Sequence, residues 1–121
     1  MEPTRVVTVF GCGGDRDRAK RGPMGRAAEE LSDWCIVTSD NPRSEDPESI
    51  CRQVTAGLKS ANHEVILDRR AAIRRAVAMA GPGDIVLVAG KGHEAYQEFA
   101  DRKVPFDDVA ESAAALRGKA A

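Results

Sequence analysis

The chain has 121 residues, with 18 Lys and Arg against 19 Asp and Glu and a formal net charge of −1. That length is one domain's worth, and at 42% hydrophobic and 31% charged residues it can bury a core without staples, which argues against disorder. Charge is even along the chain, 9 basic and 10 acidic residues in 1–60 and 9 of each in 61–121, so neither nucleic acid nor an anionic membrane is the expected partner. No apolar run approaches the roughly 20 residues of a membrane span, and no signal peptide is read at the start. Only five residues are aromatic, and a core of Val, Ile, Leu and Ala suits parallel strands covered by helices. Cys12, Cys35 and Cys51 show no metal-ligand spacing; the expectation is a reduced, cytoplasmic protein with no disulfide and no structural metal.

Residues 5–10 (RVVTVF) read as a buried strand that ends at Gly11. A glycine-rich, charged loop, 11–22, leads to a helix over 23–32, with Pro23 in its first turn. WCIVT (34–38) is a second strand, followed by the turn-forming run SDNPRSED (39–46). Asp46 caps and Pro47 opens a helix that Ile50, Val54 and Leu58 carry to about Ser60. EVIL (64–67) is a short third strand. Asp68 caps a helix over 69–80, with Ile73, Val77 and Ala80 on one face, and GPGD stops it. IVLVA (85–89) is the most apolar strand and leaves through Gly90-Lys91-Gly92-His93-Glu94. Residues 97–104 read as a small hairpin turning near Ala100-Asp101. Asp107 or Asp108 caps a last helix ending near Leu116, with a frayed tail. The repeated β-loop-α order predicts a three-layer α/β/α sandwich, mostly parallel and Rossmann-like, with one small antiparallel element.

In such sheets ligands gather outside the carboxyl ends of the strands, and loops 11–22, 39–46 and 90–97 all leave those ends. The first carries Arg16, Arg18, Lys20 and Arg21, with Arg26 nearby, offset by Asp15 and Asp17. Glycine N–H groups and guanidinium forks suit a carboxylate or phosphate, and a solvated surface loop remains the alternative. It is neither a dinucleotide fingerprint nor a Walker A loop. In Asp40-Asn41-Pro42-Arg43, an acid beside an arginine can clamp a zwitterion; a turn with a surface ion pair is the plainer reading. In the third loop two glycines allow close ligand approach, and His93 reads as a general base or a structural hydrogen-bonding group. His93-Glu94 alone is not a metal site, since position 97 is Gln.

Taken together and in this order, Val9-Phe10-Gly11-Cys12-Gly13-Gly14-Asp15-Arg16-Asp17, Lys20-Arg21, Met24-Gly25, Thr38-Ser39-Asp40-Asn41-Pro42-Arg43, Ala89-Gly90-Lys91-Gly92-His93-Glu94 with Tyr96-Gln97, and Phe106-Asp107-Asp108 resemble the C-terminal domain of the Mur ligases. The similarity spans residues 5 to about 116. It is greatest to the family's members that extend UDP-N-acetylmuramoyl-L-alanyl-D-glutamate by the third peptide residue, and the D-N-P-R run is similar to the form that selects meso-diaminopimelate over L-lysine. The resemblance implies ATP-dependent amide formation in peptidoglycan synthesis, with ATP and Mg2+ bound mainly by a central domain. On this chain it implies a meso-diaminopimelate pocket of Arg16, Asp40, Asn41, Arg43, Gly90 and Glu94, with Lys20 and Arg21 as anion contacts and no catalytic residue or metal ligand.

Some of the family's pattern is missing. No G-x-G-K-[ST] phosphate loop is present, only Met1–Thr4 precede the first strand where the family has a further strand and helix, and Val109 stands where the family has Arg. The expectation is therefore a domain that supplies the amino-acid pocket and acts only with an ATPase domain. A non-catalytic interaction module, self-associating through an uncovered sheet edge, is the alternative from another class. A free-standing ATP-using enzyme ranks behind both.

Overall fold

The apolar runs become four parallel strands: β1 (Val6–Phe10), β2 (Trp34–Val37), β3 (His63–Val65) and β4 (Ile85–Val88), ordered β3-β2-β1-β4. The structure, a computed structural model, describes residues 5–15, 17–59, 61–89, 96–99 and 101–120. The helices are α1 (Arg21–Leu31), α2 (Pro47–Thr55), α3 (Arg69–Met79) and α4 (Asp108–Ala120). An antiparallel hairpin of β5 (Tyr96–Glu98) and β6 (Lys103–Pro105) precedes α4. This is the expected sandwich with its one small antiparallel element.

Alternation along the strands sorts the core into two layers. Val7, Val9 and Ile36 face Ala72, Ile73, Ala76 and Val77 of α3, together with Phe106 and Ala115. Phe10, Cys35 and Val37 face Ile50, Cys51 and Val54 of α2 on the other side. Crossovers that step from β1 to β2 to β3 thus use one face and the return from β3 to β4 uses the other, as right-handed connections require.

Several boundaries differ from the sequence reading. A 3-10 turn (Arg18–Lys20) runs into α1, so the helix starts at Arg21 and Pro23 is its third residue, where a missing N–H costs nothing. α2 ends at Thr55 rather than near Ser60. Gly57 must turn there against α1, where a Cβ would stand 2.2 Å from the Gly22 carbonyl oxygen. β3 pairs with Cys35–Val37 through residues 63–65, one position earlier than expected. Asp68 holds the N-cap position of α3 without a side-chain capping bond. Asp107, not Asp108, caps α4, its Oδ1 accepting from the N–H groups of Val109 and Ala110 at 2.9 and 3.3 Å. α4 runs on to Ala120, past its expected end. β4, read as buried on both faces, is an edge strand of the described sheet, with Ile85 and Leu87 53% and 50% exposed.

Candidate functional site

The loops after β1 and β2 run flush at the carboxyl end of the sheet, and two glycines make this possible. A Cβ on Gly11 would lie 2.3 Å from the Thr38 carbonyl oxygen, and one on Gly14 1.8 Å from that of Pro42. The Gly14 N–H donates to the Asn41 carbonyl at 2.7 Å. Asp15 and Arg43 both take left-handed backbone angles (φ 56 and 52), which costs a non-glycine residue about 1–2 kcal/mol. Neighbours over-determine both. Ser44 donates to the Asp15 carboxylate from its N–H and its hydroxyl. The Arg43 N–H donates to the Glu98 carbonyl at 2.9 Å.

Hairpin residues clip the D-N-P-R loop from above. Gln97 Nε2 donates to the Asp40 carbonyl, and the Glu98 N–H donates to Asn41 Oδ1, both at 2.9 Å. Asp40, Asn41 and Pro42 are consequently buried, and Arg43 is half-buried, which is more enclosed than a surface ion pair.

Arg21 is 1% exposed, and its Nη1 and Nη2 donate to Oε2 and Oε1 of Glu45 at 2.9 and 2.8 Å. Nη1 also donates to Gln53 Oε1, and Nη2 to the Gly13 carbonyl. This guanidinium, with the Asp15 N–H beside it, holds the Glu45 carboxyl down to about 2. Arg21 is therefore a strut that joins α1 to both loops, and its fork is filled by Glu45 rather than open to an anion. Lys20 beside it is exposed. A cavity of about 330 Å3 opens here, lined among others by Cys12, Asp17, Lys20, Met24 and Asp40. Burial pushes the Cys12 thiol up, so it carries little thiolate.

The structure thus brings Asp40, Lys20 and Arg21 together on the cavity, and sets Asn41 and Arg43 on the adjoining loop against Gly14 and Glu98, outside the cavity lining. Arg16, Gly90, His93 and Glu94 lie outside the described residues. Sequence reasoning missed Glu45 and Glu98, which hold the two arginines, and Arg69, which reaches the Ser39 and Ala89 carbonyls from α3. Nothing local marks these partners, because each pair is joined only by tertiary contact. Among the described residues no group of three His, Cys, Asp or Glu side chains can hold a metal ion. No described helix is long and apolar enough to cross a membrane.

Parallel strands with glycine-tight, charged loops at their carboxyl ends define an α/β sandwich domain, and the chain's relatives make the class specific. Residues 1–92 match the family model described as Mur ligase, glutamate ligase domain, and the chain belongs to that family. A UDP-N-acetylmuramoyl-L-alanyl-D-glutamate--2,6-diaminopimelate ligase from Solibacter usitatus (strain Ellin6076) is 54% identical over 120 residues, 98% of this chain and 24% of the relative. The enzyme of the same name from Chromobacterium violaceum is 57% identical over 117 residues, 95% of this chain and 24% of the relative. A solved structure of such a ligase superimposes with a TM-score of 0.92 at 45% identity, over 98% of this chain and 25% of that one. The chain spans about a quarter of the length of the curated relatives it matches.

Proposed function

We propose that this chain forms the amino-acid pocket of an ATP-dependent ligase that joins meso-diaminopimelate to UDP-N-acetylmuramoyl-L-alanyl-D-glutamate in peptidoglycan synthesis. The observation that carries this reading is the placement of Arg43. It is a guanidinium fixed in a left-handed turn between interlocked loops, beside buried Asp40 and Asn41, at the carboxyl end of a parallel sheet. In this reading Arg43 takes a ligand carboxylate, and Asp40 sets the polarity that favours an ammonium nearby. Arg16, Gly90 and Glu94 complete the pocket. Lys20, on the 330 Å3 cavity, meets the anionic acceptor substrate. L-lysine lacks the distal carboxylate, so it forgoes the bond to Arg43.

The domain's contribution is positional. It presents the incoming amine to the activated terminal carboxylate of the nucleotide-dipeptide in a fixed orientation. In this reading ATP and Mg2+ belong to a separate domain acting with this one, since the sequence has no G-x-G-K-[ST] run, and no step of their chemistry is placed on this chain.

Isothermal titration of the folded chain with meso-diaminopimelate and with L-lysine tests the reading. Diaminopimelate is expected to bind the tighter. Arg43→Ala should abolish the preference, and Lys103→Ala, on the hairpin over Tyr96, should leave it intact. Equal and negligible binding of both amino acids by a folded sample overturns the proposal. The second reading, an interaction module that self-associates, is favoured by exposed Ile85 and Leu87 on β4. A monomer by light scattering over a wide concentration range counts against it.

A further inference from the structure

Arg43 is already partly engaged within the fold. Its Nε donates to Oε1 of Glu98 at 3.1 Å and its Nη1 to the Gly14 carbonyl at 2.9 Å, and Nη2 makes no hydrogen bond among the described residues. A guanidinium offers a carboxylate two edges that make paired bonds, Nε with Nη2 and Nη1 with Nη2. Glu98 occupies the Nε end of the first edge, and the Gly14 carbonyl takes one of the two N–H groups of Nη1. As it stands, an incoming carboxylate does not find the Nε–Nη2 pair open.

The two acceptors differ in how firmly they are held. The Gly14 carbonyl belongs to backbone locked by the bond from its own N–H to Asn41 and by contact with Pro42. It cannot retreat without parting the two loops. The Glu98 carboxylate ends a flexible side chain that is 34% exposed, while β5 pairing and the bonds of its backbone to Asn41 and Arg43 hold its main chain. A rotamer change alone moves it off Nε. The Nε–Nη2 edge can therefore be cleared cheaply, while the bond from Nη1 to the Gly14 carbonyl stays in place.

We propose that Glu98 is an internal stand-in carboxylate, occupying Nε of Arg43 until the distal carboxylate of an amino-acid ligand displaces it. The proposal rests on the reading of Arg43 as a ligand contact and adds a specificity-determining residue to it. A dicarboxylic ligand exchanges one ion pair for another and gains Nη2 as a second bond. A ligand without that carboxylate leaves Glu98 in place, so Arg43 is never stranded without a partner. Glu98 thus weakens binding of the dicarboxylic ligand and softens the penalty on its competitor.

Glu98→Gln removes the competing charge and keeps the backbone contacts. It should tighten meso-diaminopimelate binding by about two- to fivefold, the scale of a partly exposed ion pair, and should leave L-lysine binding unchanged or weaker, so that the affinity ratio widens. A Glu98→Gln protein that binds diaminopimelate as well as or less well than the parent overturns the proposal and makes Glu98 a positioning residue. A second readout separates this from the function itself. With 15N-arginine labelling, the Arg43 Nε–H resonance, assigned by its loss in Arg43→Lys, should respond to pimelate at lower concentration in Glu98→Gln than in the parent. If the parent binds no diaminopimelate, the proposed function falls while this shift still upholds the stand-in role. An unchanged or higher pimelate concentration for the response sinks that role.

Discussion

Arg69 and Asp108 meet fork to fork, Nε to Oδ1 and Nη2 to Oδ2, both at 2.7 Å, and the arginine side chain has no exposed surface. Its other bonds go to the carbonyls of Ser39 and Ala89, each at 3.1 Å. The pair therefore pins the first turn of α4 against the ends of β2 and β4, where two of the site loops begin. Breaking such a pair from one side leaves a buried charge without its partner, at about 3–5 kcal/mol. Asp108→Ala is expected to lower stability by about 3 kcal/mol in urea unfolding. Asp107→Ala, which removes only the cap on α4, should cost about 1 kcal/mol. Replacing both members, Arg69→Met with Asp108→Leu, should recover part of the loss, because the buried charge goes with its partner. Equal midpoint shifts for the two single variants would contradict the strut role of Asp108.

Glu45 makes stability depend on acid in a defined window. Its carboxyl is held down to about 2 in the fold, first by the hydrogen bond from Arg21, then by the Asp15 N–H. In the unfolded chain it titrates near the ordinary value of 4.5. Between those values the unfolded chain binds a proton that the folded one refuses, so lowering the pH favours unfolding. The contribution is complete above about pH 4.5, declines as pH falls, and is gone below about pH 2. Glu45→Gln should therefore be less stable than the parent at pH 6, and the gap in urea midpoints should close steadily toward pH 2. A gap that stays constant from pH 6 to pH 2 would remove Glu45 from this role.

The layer order was legible because apolar runs and punctuation agree. β1, β2 and β4 are β-branched runs bounded by glycine or polar residues, and Asp46-Pro47 marks the start of α2 to the residue. The meeting of loops 11–22 and 39–46 also followed, since both leave carboxyl ends of adjacent parallel strands. The uses of the charged side chains did not follow. Arg21 read as an anion contact because a basic residue in a glycine-rich loop looks available. Only the fold brings Glu45 to it, 24 residues on. Asp107 and Asp108 both read as caps by their place before the last helix, and only the fold decides between them, burying Asp108 beside Arg69 and leaving capping to Asp107. The exposure of Ile85 and Leu87 was hidden for another reason, since the apolar character of a strand does not reveal whether it is central or at the edge.

Close backbone approach at Gly14 predicts opposite outcomes for two glycine substitutions. Gly14→Ala would place a methyl 1.8 Å from the Pro42 carbonyl oxygen, so the loops must part. The cost should be about 1–3 kcal/mol or more. The shift also moves the Gly14 carbonyl that holds Arg43 Nη1, so diaminopimelate affinity should fall along with stability. Gly118 lies in α4 with no atom within 4 Å of an added Cβ. Gly118→Ala should raise stability by about 0.5–1 kcal/mol and leave binding alone. Thermal melts with parallel titrations check both. A neutral Gly14→Ala would mean the two loops are not locked together as their geometry implies.

The cysteines should be chemically quiet, even Cys12 on the wall of the cavity. All three are buried, and burial pushes each thiol up, Cys51 to about 11. At pH 8 a thiol of that strength is ionised to about one part in a thousand, against about a quarter for an unperturbed cysteine. Ionisation alone then slows the reaction of Cys51 with a disulfide reagent more than a hundredfold, before access is counted. The folded chain at pH 8 should therefore take up the reagent slowly at all three sites, Cys51 last. All three should react at once in denaturant, followed by intact mass. Saturating Cys12 under native conditions would test the site directly. Fast Cys12 labelling, at the rate of an exposed thiol, would show that the loops around the cavity open far more readily than the locks at Gly11 and Gly14 allow.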